Sequence, residues 1–369
     1  MTKTHQDKAR LEHMDIARGI GILLVVLGHN PACAKGTSAI LVIYSFHVPL
    51  FFFLSGYFHK RSATLGLDIK KRAFKLLLPY FLTGLVLVLG KTLESPKTAA
   101  MLLAGMAWGA GGSGTPISFL YWAPVWFLTS LFVTQAAFSI LQPALSRMPV
   151  AARCMAGALV LLVGIRYLHT WGLAYFPNSR MLPNEIGLPW NADLLPVTFF
   201  FYWLGWESGK GRALGQMLSH RQGTTSLLLL APLFAGFCIL HASQGEGQWI
   251  LDLNRREYGQ FLMTTLGALA GILFILAASL CLTHNASPWA RTALKHLGMQ
   301  SLVILVFHDF FQQQAGDALG KFAIPTWTQN ATAWIFGVGG PLLLNRLLLQ
   351  RVPWLRSVYG NASPAPAKP

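Results

Sequence analysis

Long apolar runs recur along most of the chain and are separated by short polar connections. They lie near 16–33, 38–58, 76–94, 123–142, 154–170, 192–208, 224–241, 259–283, 299–314 and 328–349. Each run approaches the roughly 18–20 residues that a helix needs to cross the hydrocarbon core of a bilayer. The pattern predicts an all-α protein, a polytopic integral membrane helix bundle with about ten transmembrane helices.

The connections between the runs are too short to hold a separate soluble domain. We therefore predict a cytoplasmic N-terminal segment at 1–15, one transmembrane domain at 16–350 and a cytoplasmic C-terminal tail at 351–369. The even number of runs places both termini on the same side of the membrane. No small-residue cleavage site follows the first run, so we expect it to remain as an anchor.

The balance of residue types agrees with burial in lipid. Hydrophobic residues make up 53% of the 369 positions and charged residues only 11%, against about 25% charged in soluble domains. Placing the N-terminus inside assigns most of the 29 lysines and arginines to cytoplasmic connections, as the positive-inside rule requires. We predict cytoplasmic termini, contact with anionic membrane lipids and no nucleic-acid partner.

The small residues indicate packing rather than chemistry. Four cysteines lie scattered in or beside apolar runs without any Cys-x-x-Cys spacing: Cys33, Cys154, Cys238 and Cys281. This scatter predicts neither a disulfide framework nor a zinc site, and no metal is expected. Gly267 and Gly271 form a Gly-x-x-x-Gly spacing within one run, which predicts close helix packing.

Ionisable residues inside the apolar runs are costly in lipid and are therefore the first functional candidates. Arg18 and His29 lie in the first run, at a spacing that puts both on one helix face and about 16 Å apart along the axis. His47 in the second run, and His308 with Asp309 in the ninth, fall near the predicted depth of His29. Three helices thus bring imidazoles to one layer, although periodicity does not show whether these helices are neighbours.

A dense basic segment precedes the third apolar run and includes Lys70, Lys71, Arg72 and Lys75. Such a cluster attracts anionic lipid headgroups. It equally suits a polyanionic ligand, such as the phosphates of a nucleotide or of coenzyme A. Trp126, near the outer end of the fourth run, is compatible both with stacking on a sugar ring and with interfacial anchoring of its helix.

Five segments combine charged, aromatic and glycine positions in a fixed order. They are MDIARGIGILLVVLGH at 14–29, FHVPLFFFLSGYF at 46–58, KKRAFKLLLPY at 70–80, WFLTSLF at 126–132 and LGMQSLVILVFH at 297–308. Together they resemble the acyltransferase-3 family of bacterial inner-membrane acyltransferases, and most of all its fucose-4-O-acetylase-like branch. The resemblance extends over essentially all the predicted helices, and its first two segments are the most specific.

The resemblance implies a membrane-embedded O-acyltransferase that depends on acyl-CoA, with acetyl-CoA as the default donor. It implies that His29 is the catalytic base or a transient acyl carrier, and that Arg18 is a catalytic and donor-binding residue. Arg72, Lys71 and Lys75 are expected to bind the donor phosphates. The expected acceptor is a hydroxyl of a cell-surface or exported glycan, such as an exopolysaccharide, or of a lipid-linked sugar at the bacterial inner membrane.

Further residues are candidates for supporting roles: His47, His308, Asp309 and Trp126. Either His47 or Asp309 would orient the His29 ring. One position departs from the family pattern, because Lys75 stands where many members carry a second arginine. A lysine keeps the positive charge but lacks the planar fork of a guanidinium, which weakens the case for bidentate phosphate contacts at that position.

Two other classes of function were weighed against acyl transfer. A transporter or flippase for a lipid-linked glycan would also need many spans and intramembrane charges. The sequence shows no internal repeat and no paired helices broken by Gly or Pro, which are features of alternating-access carriers. A scaffold for a polysaccharide-synthesis complex would leave Arg18 and His29 without a role. Acyl transfer is the favoured hypothesis, and the transporter is the alternative.

Overall fold

Helices dominate the fold, which is known from a computed structural model. The structure describes residues 2–33, 38–92, 96–110, 125–174, 187–210, 220–243, 249–322 and 324–360. Within these ranges the α-helices are α1 (Thr2–Gly28), α2 (Ser38–Tyr57), α3 (Leu65–Thr92), α4 (Pro96–Trp108), α5 (Trp126–Arg147), α6 (Val150–Ala174), α7 (Leu195–Lys210), α8 (His220–Ser243), α9 (Phe261–Asn285), α10 (Pro288–Met299), α11 (Ser301–Leu319), α12 (Thr326–Leu344) and α13 (Pro353–Tyr359). One short hairpin pairs β1 (Leu251–Asp252) with β2 (Glu257–Tyr258).

A helix covers each of the predicted apolar runs. Within the described part of the chain, six stretches are long and apolar enough to cross a membrane: Ala39–Tyr57, Trp126–Arg147, Val150–His169, Thr224–Ser243, Phe261–Asn285 and Thr326–Leu349. The other four runs lie in α1, α3, α7 and α11. The predicted all-α membrane helix bundle is therefore confirmed. Among the described helices, two begin more than ten residues earlier than predicted, since α1 already starts at Thr2 and α3 at Leu65.

Three helices and the hairpin were not predicted, because none is long enough to appear as a membrane span. Of these, α10 has the clearest local signal. Ser287 precedes it and accepts a hydrogen bond from the backbone N–H of Ala290 at 3.3 Å, and Pro288 occupies its first turn. A serine cap followed by proline is a standard helix start.

The chain divides into two compact units, and the division falls inside α2, α8 and α9. The first unit comprises Met1–Ile43, Leu218–Ala231 and Leu273–Pro369. In this unit α1 packs against α10, α11 and α12. Gly19 of α1 faces the backbone carbonyl of Leu294, and Gly298 of α10 faces the carbonyl of Asp15, so a side chain at either glycine would meet backbone.

The second unit comprises Tyr44–Met217 and Pro232–Ile272. Here α3 packs against α4 and α5, and α6 packs against α7. The predicted close packing at the Gly-x-x-x-Gly spacing is confirmed, because Gly267 lies against the ring of Phe237 and Gly271 against the ring of Phe46. In both contacts an aromatic ring occupies the space that a side chain on the glycine would need.

The predicted orientation can be tested at position 66, which lies in the connection predicted to be cytoplasmic. Gly66 is exposed and has open space around its Cβ position, so Gly66→Cys should fold normally. In a background without the native cysteines, we expect an impermeant thiol reagent to label it only after cells are opened. Ser243→Cys, at the exposed end of α8, is the matched outer-side control. Labelling of position 66 in intact cells would reverse the predicted topology.

Candidate active site

Two helices of the first unit bring His29 and His308 into contact. Their ring centroids lie 5.1 Å apart at an interplanar angle of 72°, an edge-to-face arrangement. His29 directly follows the last residue of α1, and His308 lies in the middle of α11 with Asp309 beside it. The prediction that these residues share one layer is therefore met for His29, His308 and Asp309.

The His29 ring is held by its own helix. Its Nδ1 lies 2.9 Å from the backbone carbonyl oxygen of Val25, one turn earlier. A carbonyl oxygen can only accept, so Nδ1 carries the hydrogen in the neutral ring, and Nε2 carries the lone pair. The ring is half-buried. His29 thus has the tautomer that a general base requires, with Nε2 as the basic atom.

His308 has the same tautomer for the same reason. Its Nδ1 lies 3.0 Å from the carbonyl oxygens of both Ile304 and Leu305. The side chain is fully buried, and Nε2 has no hydrogen-bond partner among the residues that the structure describes. Because an unpaired buried polar atom is costly, this Nε2 is a candidate for contact with a reacting group.

A buried amide network fixes the C-terminal end of α1 against α11 and α12. Gln312 donates from Nε2 to the carbonyl of Val26 at 3.0 Å, and its Oε1 accepts from Asn30 Nδ2 at 3.0 Å. Asn30 Nδ2 also lies 2.9 Å from the carbonyl of Asn330. Gln312 and Asn30 are both nearly inaccessible to solvent. These bonds flank His29 in sequence and hold its position relative to His308.

Arg18 lies near the opposite end of α1. Its Nη1 is 3.6 Å from Asp15 Oδ1 one turn earlier, and its side chain is 27% exposed. The adjoining α10 is tied to the same end of α1 by an ion pair between Arg291 and Glu12, at 3.2 Å. The residues between Arg18 and Gly28 form one uninterrupted helix, which preserves the predicted separation of Arg18 from His29.

Two supporting candidates belong to the second unit. His47 is buried, with its ring 4.7 Å from that of Tyr44. Trp126 is the first residue of α5 and is only 9% exposed. Little of its ring surface is therefore accessible to a sugar. Asp309 accepts a hydrogen bond from Gln313 Nε2 at 2.9 Å. The supporting roles of His47, Asp309 and Trp126 stay predictions.

Arg72 is the centre of a hydrogen-bond network in the second unit. It contacts both carboxylate oxygens of Asp68, at 3.0 and 3.2 Å, and Gln135 Oε1 at 3.1 Å. It also donates to the carbonyl of Lys60 at 3.1 Å. Asp68 accepts a further bond from Ser139 Oγ at 2.6 Å. A guanidinium that serves so many acceptors is fixed in place, so any contact it makes with a ligand comes from a preset orientation.

The ionisation states in this network follow from its contacts. Burial favours protonation of Asp68, but the hydrogen bonds from Arg72 and Ser139 outweigh it and hold the pKa of Asp68 below its ordinary value. Burial, together with the charge of Arg72, lowers the pKa of His59 to about 4. His59 Nδ1 lies 2.7 Å from the hydroxyl of Tyr202 and 3.3 Å from Arg72 Nη2. His59 is therefore neutral near neutral pH and accepts through Nδ1.

Several exposed cationic residues lie close to Arg72 in the sequence. The exposed members are Lys60, Arg61, Lys70, Lys71 and Lys75. They carry the positive charge that a phosphate-rich donor needs. The side chain of Arg72 itself is only 12% exposed. Direct phosphate contact by Arg72, Lys71 and Lys75 stays a prediction, and Arg72 also orders the segment on which the exposed cations lie.

Several residues that contact the surroundings of His29 or the Arg72 network could not be predicted from the sequence. Asn30 and Gln312 have no local signal, because their contacts join residues far apart in the chain. The same holds for Gln135, Ser139 and Tyr202 around Arg72. The pairing of Asp68 with Arg72 was open to prediction, since an acid four positions before a base favours a helical ion pair.

Comparison with known proteins identifies the family of the chain. Among the described residues, no group of three or more His, Cys, Asp and Glu side chains is placed to hold a metal ion. No curated protein and no solved structure matches the chain. A family model described as an acyltransferase domain matches residues 11–346, which include the α1 and α11 histidines and the Arg72 network. The chain belongs to the acyltransferase-3 family.

Proposed function

We propose that the chain is an O-acetyltransferase that moves an acetyl group from cytoplasmic acetyl-CoA to a hydroxyl of a cell-surface or exported glycan. The observation that carries the proposal is the state of His29, whose Nδ1 is bound to Val25 so that Nε2 is left as a base. A neutral imidazole can take a proton from a hydroxyl and return it to a leaving group. Membership of an acyltransferase family supports the reaction class.

The reaction balances with His29 alone as the proton carrier. Nε2 takes the proton from the sugar hydroxyl as its oxygen attacks the thioester carbonyl. The carbon–sulfur bond breaks, and the coenzyme A thiolate receives that proton from the imidazolium. If His29 instead carries the acetyl group, Nε2 attacks the thioester carbonyl and the carbon–sulfur bond breaks, giving an acetyl-imidazolium and the coenzyme A thiolate. The sugar oxygen then attacks the acetyl carbon, the carbon–nitrogen bond breaks, and the hydroxyl proton passes to the thiolate. In both routes the Val25 carbonyl keeps Nδ1–H in place.

The donor is proposed to bind through cations on the cytoplasmic side. Arg18, Lys71 and Lys75 would contact its phosphates, with Arg72 contributing a contact and holding the segment in shape. Charge-assisted hydrogen bonds to phosphate are stronger than neutral ones. The ion pair between Arg18 and Asp15 is 3.6 Å long, longer than an ordinary hydrogen bond, so a phosphate would compete with Asp15 for the guanidinium.

The identity of the acyl group and acceptor rests on the resemblance described above. The likeness to the fucose-4-O-acetylase-like branch supports acetyl as the acyl group and a sugar hydroxyl as the acceptor. We place the protein in the bacterial inner membrane with cytoplasmic termini, in contact with membrane lipids and with a glycan or lipid-linked sugar.

Transfer can be measured directly in membranes that contain only this protein. The probes are acetyl-CoA with a labelled acetyl group and total glycan of the host, stripped of its esters by mild alkali. We expect labelled, alkali-labile ester on the glycan and an equal amount of free coenzyme A thiol. Movement of a lipid-linked glycan across the membrane without ester formation would favour the transporter and contradict the proposal.

A further inference from the structure

In the second unit, the described residues with left-handed backbone conformation lie close together. Among the described residues, three non-glycine residues have positive φ: Trp190 at 56°, Asn191 at 59° and Arg256 at 61°. Gly109, at 66°, contacts Trp190 and Thr129. A bulky residue such as tryptophan is rarely found in this conformation. Backbone strain of this kind persists only where the surroundings enforce it, and it is concentrated at functional sites.

Arg256 enforces the conformation through a buried clamp. Its Nε lies 2.9 Å from Asp193 Oδ2, and its Nη2 lies 2.7 Å from Asn191 Oδ1. The side chains of Arg256 and Asp193 are 7% and 5% exposed. Asn191 in turn donates from Nδ2 to the carbonyl of Gly109 at 3.1 Å and to Thr129 Oγ1 at 3.1 Å. The turn that carries Trp190 is thus held rigidly on both sides.

Two tryptophans join the segments on either side of this clamp. The indole N–H of Trp108 donates to the carbonyl of Gly187, and that of Trp190 to the carbonyl of Ala107, both at 2.9 Å. Trp108 remains 38% exposed, and Trp190 is half-buried, with its ring packed edge-to-face against Phe81 and Phe132. Both rings are therefore fixed in orientation while part of each faces outward.

This arrangement differs from that of tryptophans that anchor a helix at the membrane surface. Such residues keep a polar edge in the wet interfacial region, whereas here both N–H groups are consumed by backbone carbonyls. The exposed parts of the two rings are apolar and are already fixed in orientation before a ligand binds. This preorganisation lowers the entropy cost of binding. The apolar C–H face of a sugar ring fits such a surface.

We propose that Trp190, with Trp108 beside it, forms a stacking platform for a sugar ring of the acceptor glycan. Residues 187–190, 107–109 and 249–258 belong to connections predicted to face away from the cytoplasm, where an exported glycan is met. The inference rests on the proposed acetyl transfer to a glycan and names the surface that binds its acceptor. Arg256 is a positioning residue in this account, because it holds Trp190 without facing the sugar.

Trp190→Gly tests the platform with little risk to folding. Glycine removes the ring and is the residue best suited to positive φ, so the turn should survive. In the labelled-acetyl assay, we expect the KM for de-esterified glycan to rise on the order of tenfold, the size of a lost aromatic stacking contact. Trp190→Phe should recover most of the native KM.

Trp327→Ala is the matched control, because Trp327 begins α12 at the predicted outer surface and is 73% exposed. We expect no change in the glycan KM for this variant. If Trp190→Gly keeps the native KM for glycan, the proposed platform is wrong. It is also wrong if the KM rises equally in Trp190→Gly and Trp327→Ala, because both residues would then act as lipid anchors. Failure of the native protein to esterify glycan at all would instead overturn the proposed function, and the platform with it.

Discussion

Replacement of His29 by alanine is expected to lower acetyl transfer by about a hundredfold to ten-thousandfold, the usual contribution of a general base. Loss of a covalent acyl carrier would cost at least as much. The variant should still insert and fold, because the native side chain makes one hydrogen bond to its own helix and removing a polar group does not oppose insertion. The measurement is labelled ester per unit of protein in the membrane, together with acetyl-CoA binding.

Substitutions of two other histidines distinguish a catalytic role of His29 from a packing role. His47→Ala removes a buried imidazole from the second unit and should leave transfer within a few-fold of native. His308→Asn keeps a hydrogen-bonding side chain next to His29 but removes the basic Nε2, so an intermediate loss is expected. Equal and modest losses in all three variants, or a His29→Ala protein that fails to accumulate, would make His29 a packing residue.

The second large effect is expected at Arg72. Arg72→Ala should weaken acetyl-CoA binding by on the order of 1.5–3 kcal/mol, the value of a hydrogen bond to a charged group. It should also lower thermal stability, because Asp68, whose side chain is only 4% exposed, loses its ionic partner. Breaking such a buried pair from one side costs about 3–5 kcal/mol. Binding is measured by titration with acetyl-CoA, and stability by the midpoint of thermal unfolding.

Matched variants distinguish donor binding from stability. Lys71→Ala removes an exposed charge and should weaken binding in a salt-dependent way with no change in the unfolding midpoint. The double variant Asp68→Asn with Arg72→Met replaces the buried ion pair by neutral side chains, which is often tolerated. It should recover stability without recovering binding. If the double variant binds acetyl-CoA as tightly as the native protein does, Arg72 and its neighbours have only a structural role.

The parts of the fold that sequence predicted are those with a local cause. The apolar runs fix where helices form, and the spacing of Arg18 and His29 within one helix fixes their common face. The contact between His29 and His308 needed the packing of α1 against α11, which periodicity does not determine. The amide network of Asn30 and Gln312 depends on the same packing, so only the three-dimensional structure identifies it.

The Arg72 network and the Trp190 platform escaped prediction for a different reason. Arg72 is predicted from the sequence as a ligand contact, and a basic cluster does not show that one of its members also binds several internal acceptors. Trp190 stands in a connection with no periodicity, and its left-handed conformation depends on Arg256, far along the chain. The sequence therefore indicates candidate residues on the helices but not the contacts that hold the connections.

The two ends of α1 are fixed to the rest of the first unit by different means. Near Arg18, Gly19 and Gly298 allow direct backbone contact with α10, and beyond His29 the amides of Asn30 and Gln312 join α1 to α11. The helix is thus prevented from sliding along its axis, so the interval between Arg18 and His29 acts as a spacer of constant length, about 16 Å. A donor bound at both ends would be selected by the reach of its arm, which makes acyl carriers with a shortened arm poor substrates even when their thioester is identical.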